Sequence, residues 1–266
     1  MTSLLLLHGL TFDHHQWDPV RRHLDPALPV VAPDLPGHGS APAWPSYDIT
    51  ALVDRLHDQA ASAAPIVVGH SLGGVLATIY AARHPVRAVV NVDQILLPGP
   101  FGDLVRAAEP VLRGPGWRSV WDDLMDGMHI DRLPPDAQRL VRSGSRPSAD
   151  LLLGYWAELI SRTGDEIAEQ RTAELRAIAA RDVPYRFITS SEPPRPYREW
   201  MSALLPRLEV HVLPGGTHFP HLADPEAVAR LIVRGATAPD HRAPARSADG
   251  DRSAATPTDG PRPAVR

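Results

Sequence analysis

The stretch Gly69-His70-Ser71-Leu72-Gly73 decides the fold of this chain. It matches G-x-S-x-G, a pattern in which a serine lies on a sharp turn between a strand and a helix. Residues 65–68 form a short apolar run before it, typical of a buried strand, and apolar residues recur at helical spacing over 72–80 after it. Glycine tolerates the strained backbone of such a turn. The pattern therefore predicts a serine hydroxyl raised above a sheet, where it is placed to act as a nucleophile.

Short apolar runs and helical patterns alternate on both sides of this motif. Strands are predicted at 3–7, 30–32, 88–92, 185–189 and 209–213, and helices at 17–24, 49–63, 198–205 and 225–234. Apolar strands that alternate with helices are typical of a parallel sheet with helices on both faces. The fold class predicted from the sequence is therefore α/β.

Two segments depart from this alternation. Residues 99–182 contain no clear strand and read as helices rich in tryptophan, tyrosine and methionine, which predicts a helical cap inserted into a core made of 1–98 and 183–235. Residues 236–266 are rich in proline, alanine, arginine and aspartate and almost lack large apolar side chains. Such a segment buries too little surface to offset its ordering entropy, so we expect a disordered tail.

Composition excludes several classes of chemistry. The chain has 266 residues, a net charge of −4, no cysteine and no lysine, since all 27 basic residues are arginine. Thiolate nucleophiles, disulfides and lysine Schiff bases are therefore excluded, and no cofactor or metal is expected. No basic stripe predicts binding to nucleic acid, and no apolar run is long enough to span a membrane. We expect a small-molecule substrate and a cytoplasmic location.

Four motifs occur in a recognisable order along the chain. They are Leu7-His8-Gly9, Asp34-Leu35-Pro36-Gly37-His38-Gly39, Gly69-His70-Ser71-Leu72-Gly73-Gly74 and Gly215-Gly216-Thr217-His218-Phe219. Together they resemble the α/β-hydrolase superfamily, in its branch of small lidded serine esterases. The resemblance covers residues 3–235. It implies a mostly parallel sheet of six strands, because the first strand here is similar to the third strand of the family and the usual N-terminal hairpin is missing.

The resemblance also implies a catalytic triad. Ser71 is the expected nucleophile, and His218, which follows the last strand, is the expected base. The acid has two candidates, because different branches of the family place it after different strands. Asp93 ends the strand that follows the elbow helix, and Glu192 lies in the loop after the next strand. We favour Asp93 because a residue directly at a strand end is better fixed, although an aspartate there also commonly caps a turn without catalysing.

Backbone N–H groups are expected to form the oxyanion hole. By the resemblance, the donors are Leu10, which follows His-Gly, and Leu72, which follows the nucleophile and opens a helix. Apolar cap residues either line a substrate pocket or form the core of the cap; the candidates are Trp117, Trp121, Met125, Tyr155 and Trp156.

Other polar residues have weaker claims to a role in the site. The arginines 113, 118 and 132 are expected to be solvated, although one of them could meet a substrate carboxylate. His221 is expected to line the entrance of the site or to face solvent. His14 and His15 are adjacent, so on an ordinary helix they would not share a face and would not form a metal pair.

The sequence thus predicts a cofactor-independent serine hydrolase. Its expected substrate is a small or medium, largely apolar carboxylic ester, thioester or lactone, cleaved through an acyl-enzyme. Two alternatives stay open, because a fold does not fix its chemistry. The same site could serve a C–C hydrolase, lyase, perhydrolase or biosynthetic cyclase, or the fold could serve as a non-catalytic small-molecule receptor.

Overall fold

Six short strands form one parallel sheet in the computed structural model, which describes residues 2–234. The strands are β1 (Leu4–Leu7), β2 (Val30–Val31), β3 (Ile66–His70), β4 (Ala88–Val92), β5 (Tyr185–Thr189) and β6 (Leu208–Val212). Every neighbouring pair is parallel, and the order across the sheet is β2-β1-β3-β4-β5-β6. The predicted six-stranded α/β fold is confirmed. The predicted tail, 236–266, lies outside the described residues.

Helices connect these strands. They are α1 (Asp18–Arg21), α2 (Ile49–Gln59), α3 (Leu72–Arg83), α4 (Gly99–Leu112), α5 (Trp117–Gly127), α6 (Pro135–Gly144), α7 (Ala149–Tyr155), α8 (Ala157–Ser161), α9 (Gly164–Ala179), α10 (Arg195–Leu204), α11 (Pro220–Ala223) and α12 (Pro225–Val233). Short 3₁₀ turns occur at His14–Trp17 and Ile130–Arg132. No helix within residues 2–234 combines the length and hydrophobicity that a membrane-spanning segment requires.

The strand order reverses between β1 and β3, which lie side by side. Leu7 of β1 pairs with Gly69 of β3, so the loops that follow the two strands leave the sheet next to each other. In open α/β sheets this kind of switch point, at the carboxyl ends of the strands, forms a natural crevice. The topology therefore brings the loop after β1 to the turn that carries Ser71.

Both faces of the sheet are covered, which explains the unbroken apolar run of β1. Leu4 and Leu6 belong to a core cluster that includes Trp17 and residues of α12. Leu5 and Leu7 belong to a larger cluster on the other face, with residues of α2 and α3. A strand buried on both faces needs no polar alternation.

The elbow helix α3 is more deeply buried than its sequence predicts. The apolar spacing over 72–80 predicts one buried face, whereas Gly73, Gly74 and every residue from Leu76 to Ala81 are buried. The cause is that α3 packs against β1, β3 and β4 on the sheet side and also against α2 and α9. Helix α9 falls in the range predicted for the cap, 99–182, yet it contacts the core helix α3. The predicted boundaries of core and cap stay a prediction.

The predicted first helix, 17–24, is shorter in the structure. The chain forms the 3₁₀ turn His14–Trp17 and then a single α turn that ends at Arg21. Prolines at positions 26 and 29 lie just downstream and disfavour helical backbone at the residues before them. The side chain of Asp13 caps the 3₁₀ turn by accepting from the N–H of His15 (2.9 Å).

Two buried histidines hold the loops at the edge of the crevice. The Nε2 atom of His8 accepts the N–H of Leu35 (3.0 Å), and Nε2 of His38 accepts the N–H of Thr11 (2.9 Å). A ring nitrogen that accepts a hydrogen bond carries no proton, so both rings are neutral in the fold. Burial, together with electrostatic repulsion between neighbouring imidazoles when His38 is protonated, lowers the pKa of His8 to about 3. Burial lowers the pKa of His38 to about 4.

These histidines make stability depend on pH. The unfolded chain takes up a proton at each of them below about pH 6.5, whereas the folded chain does so only near pH 3 to 4. The free energy of unfolding should therefore fall by about 1.4 kcal/mol per pH unit for each histidine as pH drops from 6.5 towards 4. Urea unfolding at several pH values measures this slope. His38→Gln should reduce it, and the same change at the exposed His23 should not; equal slopes for all three proteins would contradict the assignment.

Gly73 gives a second prediction, because α3 lies against β1 without space for a side chain. A Cβ at Gly73 would overlap the carbonyl oxygen of Leu7 and lie 2.9 Å from that of His8. Gly73→Ala should lower the free energy of unfolding by about 1–3 kcal/mol. Gly144, at the end of α6, has nothing within 4 Å of a Cβ, so Gly144→Ala should not destabilise the protein. Thermal unfolding of the two variants tests the contrast, which equal melting temperatures would refute.

Candidate active site

Ser71 lies on the sharp turn between β3 and α3. Its φ of 51° and ψ of −122° are strained for a residue with a side chain. Its N–H donates to the carbonyl of Val92 (3.1 Å), and its own carbonyl accepts the N–H of Gly74 (2.7 Å). A Cβ at Gly69 would overlap the backbone of Gly73, so only glycine lets the strand and the helix approach this closely. The serine is thus held at the carboxyl edge of the sheet.

Asp93 directly follows β4 and also has a positive φ, of 55°. Its N–H donates to the carbonyl of Ile188 in the neighbouring strand β5 (2.7 Å). Its Oδ1 atom accepts the hydroxyl of Thr189 (2.9 Å) and the N–H of Ser190 (3.1 Å). Burial alone would raise the pKa of Asp93, but the hydrogen bond and charge of His218, together with the bonds from Ser190 and Thr189, outweigh it and lower that pKa below its usual value. The carboxylate is therefore ionised and fixed.

The ring of His218 is bound to this carboxylate. Its Nδ1 atom lies 2.9 Å from Oδ2 of Asp93. Because an ionised carboxylate can only accept a hydrogen bond, Nδ1 carries the ring proton and donates that hydrogen bond to Asp93. Nε2 is then the ring nitrogen that is free to accept a proton. The side chain of His218 is 22% exposed, so a small molecule can reach it.

The backbone of His218 is held from two sides. Its N–H donates to the carbonyl of Met128, at the end of α5 (3.0 Å). Its carbonyl accepts from Nε2 of His70 (2.8 Å), whose ring centre lies 4.8 Å from that of His218. His70 immediately precedes Ser71. The structure thus brings the elbow and the histidine loop together at one end of the sheet.

Two backbone donors lie beside the serine. Within residues 2–234, no acceptor is hydrogen-bonded to the N–H of Leu10 or to that of Leu72. Leu72 is the first residue of α3, where N–H groups lack helical partners. Leu10 follows Gly9, and a Cβ at Gly9 would lie only 3.4 Å from Cβ of Ser71. Both free donors therefore belong to loops that meet at the serine.

Glu192 lies away from this cluster. Its side chain is 69% exposed, and its carboxylate accepts from Arg198 (3.2 Å). In the described part of the chain it makes no hydrogen bond with His218, whose Nδ1 is bound to Asp93. Of the two candidate acids, the structure brings only Asp93 to the histidine.

Aromatic rings connect the cap to the histidine loop. The ring centres of Trp156 and Trp121 are 6.4 Å apart, and that of Phe12 lies 6.5 Å from Trp121. Phe12 in turn packs edge-on against Phe219, 5.6 Å away, which follows His218. Trp121 and Trp156 are thus buried aromatic residues that connect, through Phe12 and Phe219, to the histidine loop.

The other predicted pocket residues have different surroundings. The hydroxyl of Tyr155 donates to the carbonyl of Pro36 (3.0 Å), and its ring packs against those of Tyr47 and His38. Trp117 and Met125 are partly buried against the larger core cluster. Tyr155 therefore serves to join the cap to the loop after β2.

The three arginines considered for binding a carboxylate have partners within the protein. Arg113 and Arg118 pair with acidic residues one turn away on their own helices, each at 2.9 Å. Arg132 donates to the carbonyl of Gly216 (2.8 Å), in the histidine loop. Arg132 and Met128 thus both contact this loop, a role that no motif in the sequence indicates.

Two expectations about other histidines are wrong. His221 is fully buried, with its ring centre 4.3 Å from that of His70 and 4.9 Å from that of Trp17, because the chain turns inward at α11. His14 and His15 have ring centres only 4.0 Å apart, because a 3₁₀ turn replaces the expected helix. Ligand atoms of these two and Asp13 lie within 4.8 Å of one another, but Nδ1 of His14 is bound to Asp34 (2.6 Å).

Comparisons with known proteins agree with this architecture. Pimeloyl-(acyl-carrier protein) methyl ester esterase of Neisseria meningitidis serogroup C is 29% identical over 246 residues, which cover 86% of this chain and 91% of that one. Lipase LipV of Mycobacterium tuberculosis is 31% identical over 179 residues, covering 59% and 66%. The solved enol-lactonase of Burkholderia xenovorans superposes with a TM-score of 0.70 at 18% identity, covering 89% and 91%, which shows a shared fold.

A family model gives the wider assignment. The model of the alpha/beta hydrolase family matches residues 4–231, from the first strand to the last helix described. The match spans the elbow, the turn after β4 and the histidine loop. The chain is therefore a hydrolase and belongs to the alpha/beta hydrolase family.

Proposed function

We propose that this protein is a cofactor-independent serine hydrolase that cleaves a small or medium, largely apolar carboxylic ester, thioester or lactone through an acyl-enzyme. One observation carries the proposal. The Nδ1 atom of His218 is bound to Oδ2 of Asp93 at 2.9 Å, next to the elbow that carries Ser71. A base oriented by an ionised carboxylate beside a strained serine is the arrangement that acyl transfer requires.

In the first step Ser71 is the nucleophile and His218 the base. As Oγ attacks the carbonyl carbon, its proton passes to Nε2 of His218, since Nδ1 already carries one. The imidazolium that forms is stabilised by Asp93, which stays ionised because its pKa is lowered. The tetrahedral intermediate then collapses, and Nε2–H protonates the leaving group.

The backbone N–H groups of Leu10 and Leu72 are the proposed oxyanion hole. They have no acceptor within residues 2–234, and their loops meet at Ser71. Donors of this kind stabilise the negative oxygen of the intermediate, and losing one typically costs about 10²–10³ in rate. Two free donors beside an oriented base favour an enzyme over a non-catalytic receptor.

Deacylation repeats the same proton transfers with water. His218 removes a proton from a water molecule that attacks the acyl carbon, and Ser71 leaves with that proton restored. The acid product is released and the free enzyme is regenerated, so the cycle needs no external cofactor.

The proposed substrate class rests on the cap and on the relatives. Aromatic contacts connect Trp121 and Trp156 through Phe12 to the histidine loop, and apolar surroundings of this kind suit an apolar acyl chain. The relatives' names, a methyl ester esterase and a lipase, also denote ester hydrolysis. An ester whose acyl part is apolar is therefore preferred over a charged one.

Removing the nucleophile tests the reaction. Ser71→Ala should lower kcat/KM for p-nitrophenyl butyrate by at least about 10³-fold, because the acyl-enzyme cannot form. A fluorophosphonate probe should label the wild-type protein and not this variant. Ser143→Ala, at an exposed serine of α6, is the control and should keep wild-type turnover and labelling. Equal turnover by the wild type and Ser71→Ala over acyl chains of two to ten carbons would refute the proposal.

Replacing each of the two candidate acids by its amide tests which carboxylate belongs to the triad. Asp93→Asn should lower kcat/KM by about 10²–10⁴-fold, because the neutral amide no longer stabilises the imidazolium or fixes its tautomer. Glu192→Gln should stay within twofold of the wild type, since Glu192 is exposed and paired with Arg198. Steady-state kinetics with the same ester measures both. A larger loss in Glu192→Gln than in Asp93→Asn would reverse the assignment.

A further inference from the structure

His70 occupies the first variable position of the G-x-S-x-G motif, where the proposed reaction itself requires no histidine. It is nevertheless fully buried, at 0% exposure. Burying an imidazole costs free energy unless its nitrogens are hydrogen-bonded. One of them is, since Nε2 lies 2.8 Å from the carbonyl oxygen of His218, 148 residues further along the chain.

The chemistry of this contact fixes the proton on the ring. A carbonyl oxygen can only accept, so Nε2 of His70 must donate. Burial, together with the nearby His221 and His218, holds the pKa of His70 well below its usual value, so the ring is neutral and carries a single proton. Nδ1 is therefore unprotonated, and within the described residues it has no hydrogen-bond partner.

The position of the bond matters more than its strength. His70 is the residue before Ser71, and the accepting carbonyl belongs to His218 itself. The bond therefore links the side chain of the nucleophile's neighbour directly to the backbone of the base. The His70 ring also fills the space under the loop, with ring centres 5.2 Å from Phe219 and 4.3 Å from His221.

We propose that His70 is a positioning residue, which holds His218 at its working distance from Ser71 by donating Nε2–H to the carbonyl of His218. The inference rests on the proposed function, in which Ser71 and His218 exchange a proton. His70 does not touch the substrate and does not titrate during the reaction. A misplacement of about 1 Å between reacting groups can cost about 10²-fold in rate, so the loss of this bond should appear in kcat.

Two substitutions separate the hydrogen bond from the packing. His70→Leu keeps an apolar group but removes the donor, and it should lower kcat by about 10–10²-fold while KM stays within about twofold. His70→Gln places an amide N–H₂ near the position of Nε2 and should restore kcat to within about fivefold of the wild type. Turnover of p-nitrophenyl butyrate and the rate of fluorophosphonate labelling are the readouts.

His221→Leu is the matched control. His221 is as deeply buried as His70 and packs against the same ring, yet neither of its ring nitrogens has a hydrogen-bond partner within residues 2–234. The change replaces a buried ring that packs against His70 without removing a hydrogen bond, so it should leave kcat within about threefold. If His70→Leu keeps wild-type kcat, or if His221→Leu loses as much, His70 acts through packing alone and the proposal is wrong.

A measurement on the unmodified protein tests the proposal even if the variants fail to fold. Long-range ¹H–¹⁵N spectra of protein labelled at its histidine rings distinguish the two neutral tautomers, and through-space contacts with the ring of Phe219, whose centre lies 5.2 Å away, identify the ring of His70. We expect the Nε2–H tautomer, unchanged from pH 5 to pH 8. A proton on Nδ1, or a ring that titrates in this range, would overturn the inference. Ser71→Ala separates the two claims: if it stays active, the proposed function fails, while the tautomer result still stands.

Discussion

The hydrogen bond between Nδ1 of His218 and Oδ2 of Asp93 is the interaction on which the site depends. It joins a loop after β6 to a turn after β4, and the carboxylate is in turn held by Thr189, the last residue of β5, and by Ser190. Because all strands are parallel, their carboxyl ends lie along one edge, and such a bond costs little extra ordering. The sheet thus fixes where the loops begin, and the loops carry the side chains of the site.

The backbone at this edge is strained in a consistent way. Ser71 and Asp93 both follow a strand directly, and both have a positive φ, of 51° and 55°. Side chains rarely adopt this conformation unless the surrounding structure enforces it. Here the enforcement comes from hydrogen bonds to the next strand, from Ser71 to Val92 and from Asp93 to Ile188. At Asp93 the strained turn places the carboxylate where it binds the ring of His218 in the histidine loop.

Much of the fold could be predicted from local pattern. The strands 88–92 and 185–189 match the predicted bounds, because apolar runs buried on both faces leave a clear signal. The order of the motifs likewise indicated Ser71 and His218, whereas Asp93 was favoured over Glu192 only because it lies directly at a strand end. Choosing between Asp93 and Glu192 needed coordinates, because sequence spacing does not say which loop turns towards the histidine.

Long-range contacts of the site had no signal in the sequence. Met128 and Arg132 contact the histidine loop through tertiary packing, and backbone carbonyls are the acceptors, so no residue type marks the sites. The expectation that His221 lines the entrance of the site or faces solvent is wrong, because α11 turns it into the core. Tertiary packing also buries α3 beyond its predicted apolar face.

The bond from the N–H of His218 to the carbonyl of Met128 attaches the histidine loop to the residue that follows α5. Arg132 adds a second attachment through its hydrogen bond to the carbonyl of Gly216. Because these two bonds connect the segments, a displacement of the chain after α5 would also displace the backbone of His218. The position of the base thus depends on residues far earlier in the chain, and substitutions there can affect turnover without touching the triad.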